Sequence, residues 1–138
     1  MHKIYFACSI RGGREDATFY GELVDHLKTR CVLLTEIFAD QKLTHQGMNK
    51  PSSDIWRIDT DWIREADAVI AEVTNPSLGV GYEIAKAEEW GKPVLALFRT
   101  DGDRKLSAMI EGSPTVKIIY YTDIAAVKGD IDYFLSSL

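Results

Sequence analysis

Ala68-Val69-Ile70-Ala71-Glu72-Val73-Thr74-Asn75-Pro76-Ser77-Leu78-Gly79-Val80-Gly81-Tyr82-Glu83-Ile84-Ala85-Lys86-Ala87-Glu88-Glu89-Trp90 carries three kinds of local signal in succession. The apolar run 68–73 reads as a buried strand. Thr74 to Gly81 holds Asn, Pro, Ser and two glycines, the composition of a turn. Ile84 to Trp90 reads as a helix. Backbone N–H groups at a helix start attract an anion, and glycines let a ligand approach the main chain. Glu83 falls about one turn in, where it can face the same ligand. Two plainer local readings stand beside this: Ser77 suits an N-cap, and Glu83 suits the positive end of a helix dipole.

Outward from this unit the pattern repeats. Lys3-Ile4-Tyr5-Phe6-Ala7-Cys8 predicts a first buried strand. The Gly-rich loop Ser9-Ile10-Arg11-Gly12-Gly13-Arg14-Glu15-Asp16 then leads into a helix with Ala17, Tyr20, Leu23, Val24 and Leu27 at helical spacing. That loop is neither a Walker A motif nor Gly-x-Gly-x-x-Gly. Cys31 to Leu34 predicts a second strand. The polar stretch Ala39 to Asp54, containing His45, predicts a flap over a site, because long structureless loops are otherwise uncommon. A helix follows with Ile55, Ile58, Trp62, Ile63 and Ala66 on one face and Asp54, Arg57, Thr60, Asp61, Arg64 and Glu65 on the other. Asp59 projects from the middle of the apolar stripe, and an inward carboxylate is costly unless paired or useful. Beyond Trp90, Gly91-Lys92-Pro93 stops the helix. Val94 to Phe98 and Val116 to Tyr120 predict the fourth and fifth strands. Leu106 to Ile110 predicts a short helix, and Ile124 to Leu138 a closing one.

Strands alternating with helices predict an α/β fold. The expectation is a flavodoxin-like or Rossmann-like five-stranded parallel sheet, order 2-1-3-4-5, with helices on both faces. A chain of 138 residues suits one domain over its whole length. Net charge is −5 with no Lys/Arg block, which argues against a nucleic-acid polymer or an anionic membrane as partner. No apolar run is long enough to span a bilayer, and no signal peptide is read at the start, so a cytoplasmic location is expected, with the nucleus open to a eukaryotic chain. Cys8 and Cys31 read as core thiols.

In that sheet order the loops after the first and third strands meet at the switch point. One site would then gather Ser9, Arg11 and Gly12, Asp59, and Ser77, Gly79 and Glu83. The chain shows no Cys–His pair, no Ser–His–acid set and no metal-ligand spacing. Two carboxylates beside an anion-binding turn are equipment for glycosyl transfer on a sugar phosphate or nucleotide.

Tyr5-Phe6, Ser9-Ile10-Arg11-Gly12-Gly13-Arg14-Glu15-Asp16, Thr35-Glu36, Asp59 with Trp62, Ala66-Asp67, Ala71-Glu72-Val73-Thr74, Pro76-Ser77-Leu78-Gly79-Val80-Gly81-Tyr82-Glu83 and Leu106-Ser107-Ala108-Met109-Ile110 together resemble the 2′-deoxynucleoside 5′-phosphate N-hydrolases of the nucleoside 2-deoxyribosyltransferase superfamily. The resemblance runs to Gly112. It implies hydrolysis of a deoxynucleoside 5′-monophosphate to a free base and 2-deoxyribose 5-phosphate. It implies Glu83 as nucleophile through a covalent glycosyl intermediate, Asp59 assisting the leaving base, and Tyr5 holding Glu83. Ser9, Ile10, Arg11, Gly12, Ser77 and Gly79 would bind substrate. Ser107 would reach the phosphate from the neighbouring subunit of a homodimer, and no metal or organic cofactor is expected. Ile37 and Phe38 stand where mammalian members carry a His, and Ala7-Cys8 where a Cys-Gly pair is usual, so base preference stays open. A base-exchanging transferase, a ribonucleotide hydrolase and a silent nucleotide-binding module remain the alternatives.

Overall fold

The structure is a computed structural model that describes residues 1–9, 17–35 and 50–138. Its elements, in chain order, are β1 (Lys3–Ala7), α1 (Ala17–Lys28), β2 (Val32–Leu33), α2 (Ser52–Glu65), β3 (Ala68–Glu72), α3 (Leu78–Glu89), β4 (Val94–Arg99), α4 (Ala108–Glu111), β5 (Val116–Tyr121) and α5 (Ile124–Ser136). The strands form one parallel sheet in the order β2-β1-β3-β4-β5, as the alternation predicts. β3 lies in the middle and is buried along its whole length, which explains its unbroken Ala-Val-Ile-Ala run: a strand covered on both faces has no polar side.

Strand alternation divides the interior into two cores. Ile4, Phe6, Ile70, Leu95 and Leu97 face α1 and α5, packing on Tyr20, Leu23, Leu27, Ile131 and Phe134. Tyr5, Ala7, Val69, Ala71 and Ala96 face α2 and α3, packing on Ile63, Val80, Ile84 and Ala87. Successive strand side chains point to opposite faces, so the odd position of Tyr5 commits its ring to the α2–α3 side. The small residues Ala7, Ala71 and Ala96 on that side leave room for those helices to come close. α3 ends where Gly91 adopts a φ of 69°, a left-handed conformation that favours glycine just past a helix C-cap.

Some sequence expectations shift. α2 begins at Ser52, with Pro51 in the N-cap position, so the polar stretch ends earlier than expected. A proline there loses no helical hydrogen bond. Residues 39–49 of that stretch, His45 among them, lie outside the described residues, as do Ile37 and Phe38. Thr60, assigned to the polar face of α2, is buried. Its hydroxyl donates to Trp56 O at 2.7 Å, which removes the cost of enclosing it. Ile55, Ile58 and Trp62 are only half-buried. Cys31 precedes the two-residue β2 rather than lying in it; it is buried, with its thiol on Leu27 O at 3.2 Å. No helix among the described residues is long and apolar enough to cross a membrane.

Candidate active site

The chain leaves β3 through Thr74 and enters α3 at Leu78. Ser77 is extended (φ −149°, ψ 123°) and caps the helix, its Oγ accepting from Val80 N at 3.3 Å. The capping reading of Ser77 is therefore correct. It leaves the N–H groups of the first turn, and the second lone pair of the hydroxyl, at the end of the helix that favours negative charge. A Cβ placed on Gly79 would lie 3.8 Å from both Ser77 Oγ and Glu83 Oε1. The capping hydroxyl and the carboxylate thus flank a position where the main chain is bare, Glu83 lying one helical turn beyond Gly79.

Glu83 is bound from the sheet. The Tyr5 hydroxyl donates to Glu83 Oε2, joining β1 to α3 across 78 residues of sequence. Tyr5 is fully buried, so its ring is a rigid post. Asp59 approaches from α2: its charge is felt by both Glu83 and Tyr5. Its Oδ1 is enclosed, with no hydrogen-bond partner among the described residues. A buried acceptor with no partner normally signals a missing ligand or a functional strain.

Burial raises both acids. Glu83 is pushed up to about 8, by loss of water first and then by the Asp59 charge, while the Tyr5 hydroxyl pulls the other way. Asp59 rises to about 7 through loss of water. Tyr5 is held well above its ordinary value by burial and then by the charge of Glu83, so it remains a donor. Both acids therefore hold protons toward neutrality, Glu83 more tightly than Asp59.

Of the other expected site residues, Ser9 is fully buried just past the end of β1, and its hydroxyl has no partner among the described residues. Ile10, Arg11 and Gly12 lie outside the described residues. Ser107 belongs to the segment ahead of α4. It is exposed and caps α4, lining a cleft of about 530 Å³ together with Ser77, Leu78, Val80, Leu106 and Met109. Tyr5, Asp59 and Glu83 are not in that lining. Among the described residues no group of three or more His, Cys, Asp or Glu gathers as a metal ion would require.

Sequence reasoning missed a polar cluster behind the turn. Glu72, the last residue of β3, is fully buried. It accepts from Thr74 N at 2.7 Å and from the Tyr121 hydroxyl, with the Arg99 charge acting on it. The signal was available as an acid inside an apolar strand run, the same kind of signal that singles out Asp59.

The chain matches the family model described as nucleoside 2-deoxyribosyltransferase over residues 4–118. It is 48% identical to the 5-hydroxymethyl-dUMP N-hydrolase of Rattus norvegicus over 96% of this chain and 81% of the rat protein. It is 49% identical to the Mus musculus protein of the same name over 80% of this chain, though that alignment spans only 65% of the mouse protein. A Nematostella vectensis protein provisionally named 2′-deoxynucleoside 5′-phosphate N-hydrolase 1 is 45% identical over 83% of this chain and 80% of its own. The resemblance to N-hydrolases read in the sequence therefore has measured relatives behind it. Among solved structures, the CMP N-glycosidase of Clostridium botulinum superposes with a TM-score of 0.68 at 19% identity, covering 96% of this chain and 98% of that one. At that identity the likeness speaks for the fold.

Proposed function

The chain belongs to the nucleoside 2-deoxyribosyltransferase family, and from that premise we propose that it hydrolyses the N-glycosidic bond of 2′-deoxynucleoside 5′-monophosphates, releasing a free base and 2-deoxyribose 5-phosphate. The observation that carries this reading is the pairing of Glu83 with Tyr5 and Asp59 beside the capped start of α3.

Glu83 attacks C1′ as the base leaves, forming a glycosyl ester. For this step the proton that Glu83 holds more tightly in the free protein passes to Asp59, which then supplies it to the departing base. Asp59 then takes one from the water that opens the ester and restores the Glu83 carboxylate. The Tyr5 hydroxyl fixes the rotamer of Glu83 and offsets part of the cost of its charge. Ser77, the bare backbone at Gly79 and the first-turn N–H groups receive the 5′-phosphate. Ser9, Ile10, Arg11 and Gly12 complete the pocket from the loop after β1. A phosphate anchored at one end supplies binding energy that orients the reacting bond at the other, which is why a nucleotide is preferred over a nucleoside.

The working unit in this reading is a homodimer in which Ser107 of one protomer meets the phosphate held by the other. Support comes from the surface around the cleft. Leu78 is 96% exposed and Met109 83% exposed, beside an exposed Ser107. Large apolar side chains so bare, around an apolar cleft, suit a covering partner.

A panel of deoxynucleoside monophosphates, followed for free base, tests the activity. Wild type is expected to release base without a metal or cofactor, and Glu83→Gln to bind nucleotide while turning over at least ~1,000-fold more slowly. Tight binding with no base released by wild type would point to a silent binding module. Exchange of the base in the presence of a foreign one would point to a transferase.

A further inference from the structure

The carboxylate of Glu72 takes no part in the chemistry described above, yet it lies directly behind the turn that receives the phosphate. Its Oε1 accepts from Thr74 N at 2.7 Å and its Oε2 from the Tyr121 hydroxyl. Thr74 in turn accepts from Arg99 N at 2.8 Å through Oγ1. The next residue, Asn75, is buried. Its side chain accepts from Arg104 Nη1 and donates to the Tyr20 hydroxyl at 3.3 Å. The guanidinium of Arg99 stacks over the Phe19 ring, 4.1 Å from its centre, and is bound at Nε by Asp101 at 2.9 Å. The ends of β3, β4 and β5 are thus bound into one polar cluster, and the chain from Thr74 to Ser77 leaves from it.

Resting on the phosphate-binding role assigned to that turn, we propose that Glu72 is a positioning residue for nucleotide recognition: through Thr74 N–H it fixes the direction in which the chain leaves β3, and so the placing of Ser77 and Gly79 against the 5′-phosphate. A carboxylate is the one side chain of this size that accepts from both donors. In Glu72→Gln one of the two donors faces an NH₂ group instead, and Arg99 loses the negative charge beside it. The turn then loses its fixed starting point while the apolar cores on both faces stay intact. Binding of the phosphate suffers, whereas Glu83, held from the sheet by Tyr5, keeps its alignment.

The test compares two substrates and one ligand. Glu72→Gln is expected to raise KM for a deoxynucleoside monophosphate by ~10-fold with kcat changed by less than about threefold. Hydrolysis of the matching deoxynucleoside, which has no phosphate to place, should change by less than about twofold. Calorimetric titration with 2-deoxyribose 5-phosphate should show the same ~10-fold weakening without any turnover. Equal losses on nucleotide and nucleoside, or no loss on either, would overturn the proposal, as would unchanged affinity for the sugar phosphate. Tyr121→Phe, which removes one donor and keeps the ring, carries the same comparison if Glu72→Gln does not fold, with a shift of ~3-fold expected. If wild type binds the sugar phosphate but cleaves no nucleotide, the catalytic reading fails and the titration still decides the role of Glu72. If wild type does not bind it, both fail.

Discussion

Glu83 carries opposing demands. As the proposed nucleophile it must be ionised to attack, and its surroundings resist ionisation: loss of water, first among the causes, raises it from 4.5 to about 8. Such a shift has a consequence for stability with a definite sign. Below about pH 4 the group is neutral in both folded and unfolded chains and costs nothing. Between there and about pH 8 the unfolded chain gives up its proton and the folded one keeps it, so stability falls as pH rises. Glu83→Gln removes that loss and keeps an oxygen to accept from Tyr5. The variant is therefore expected to be more stable than wild type by ~1–3 kcal/mol at about pH 8, the gap closing toward pH 4. Thermal melts of both proteins across that range check it, and a variant equal to or weaker than wild type at the alkaline end would contradict the burial of this charge. Asp59 was legible from sequence as an acid inside an apolar stripe, where it is expensive, and Glu83 as an acid about one turn into the helix that follows the Gly-rich turn, where it can face the same ligand. The part of Tyr5 was not legible from spacing. Its contact with Glu83 depends on strand parity and strand order together, and only family resemblance supplied it. Glu72 was passed over because a strand end reveals its partners only once β4 and β5 are laid beside it.

At the scale of elements, α3 does two jobs with one cap. The Ser77 hydroxyl satisfies Val80 N, and the same end of the helix is where the phosphate is to sit. The jobs separate under substitution. Ser77→Asp offers a better cap and places a negative charge beside the helix's positive end, but that charge confronts a phosphate dianion. Its melting temperature is expected to match or exceed that of wild type while KM for a nucleotide rises ~100-fold or more. Ser77→Ala should do the reverse in part, losing ~1 kcal/mol of stability with a smaller effect on KM. If Ser77→Asp left nucleotide binding untouched, the phosphate would have to lie elsewhere. The elements themselves were largely readable: apolar runs gave the five strands, their alternation with helices gave a parallel sheet, and five strands suited the flavodoxin-like order, which in turn placed the switch point. The boundary that moved was the start of α2. Pro51 reads as a breaker in isolation, and only its place ahead of Ser-Ser-Asp makes it a helix entry. Thr60 was misplaced because a hydroxyl that bonds back to its own helix behaves as an apolar group toward its neighbours.

For the whole molecule, the cleft beside α4 raises the matter of whose Ser107 meets whose phosphate. Within one chain Ser107 lines the cleft with Ser77, on a lining that leaves out Glu83, and the rim bears the exposed Leu78 and Met109. In the proposed homodimer, with the two-fold symmetry usual for such assemblies, each surface patch meets its own copy, and each site would take Glu83 from one protomer and Ser107 from the other. That arrangement has a signature no monomer can imitate. On that proposal Glu83→Gln removes the nucleophile and Ser107→Ala weakens phosphate binding. In a heterodimer of the two, one site collects both defects and the other collects neither. Unfolding and refolding an equal mixture should therefore restore about a quarter of wild-type activity at low nucleotide concentration, since about half the dimers are mixed and each has one sound site. If Ser107 serves its own chain, every site in the mixture keeps one defect and mixing gains nothing. Leu78→Asp, which sets a charge in the apolar rim, should reduce the recovery by driving the protomers apart, and sedimentation of that variant should show a lighter species than wild type at equal concentration.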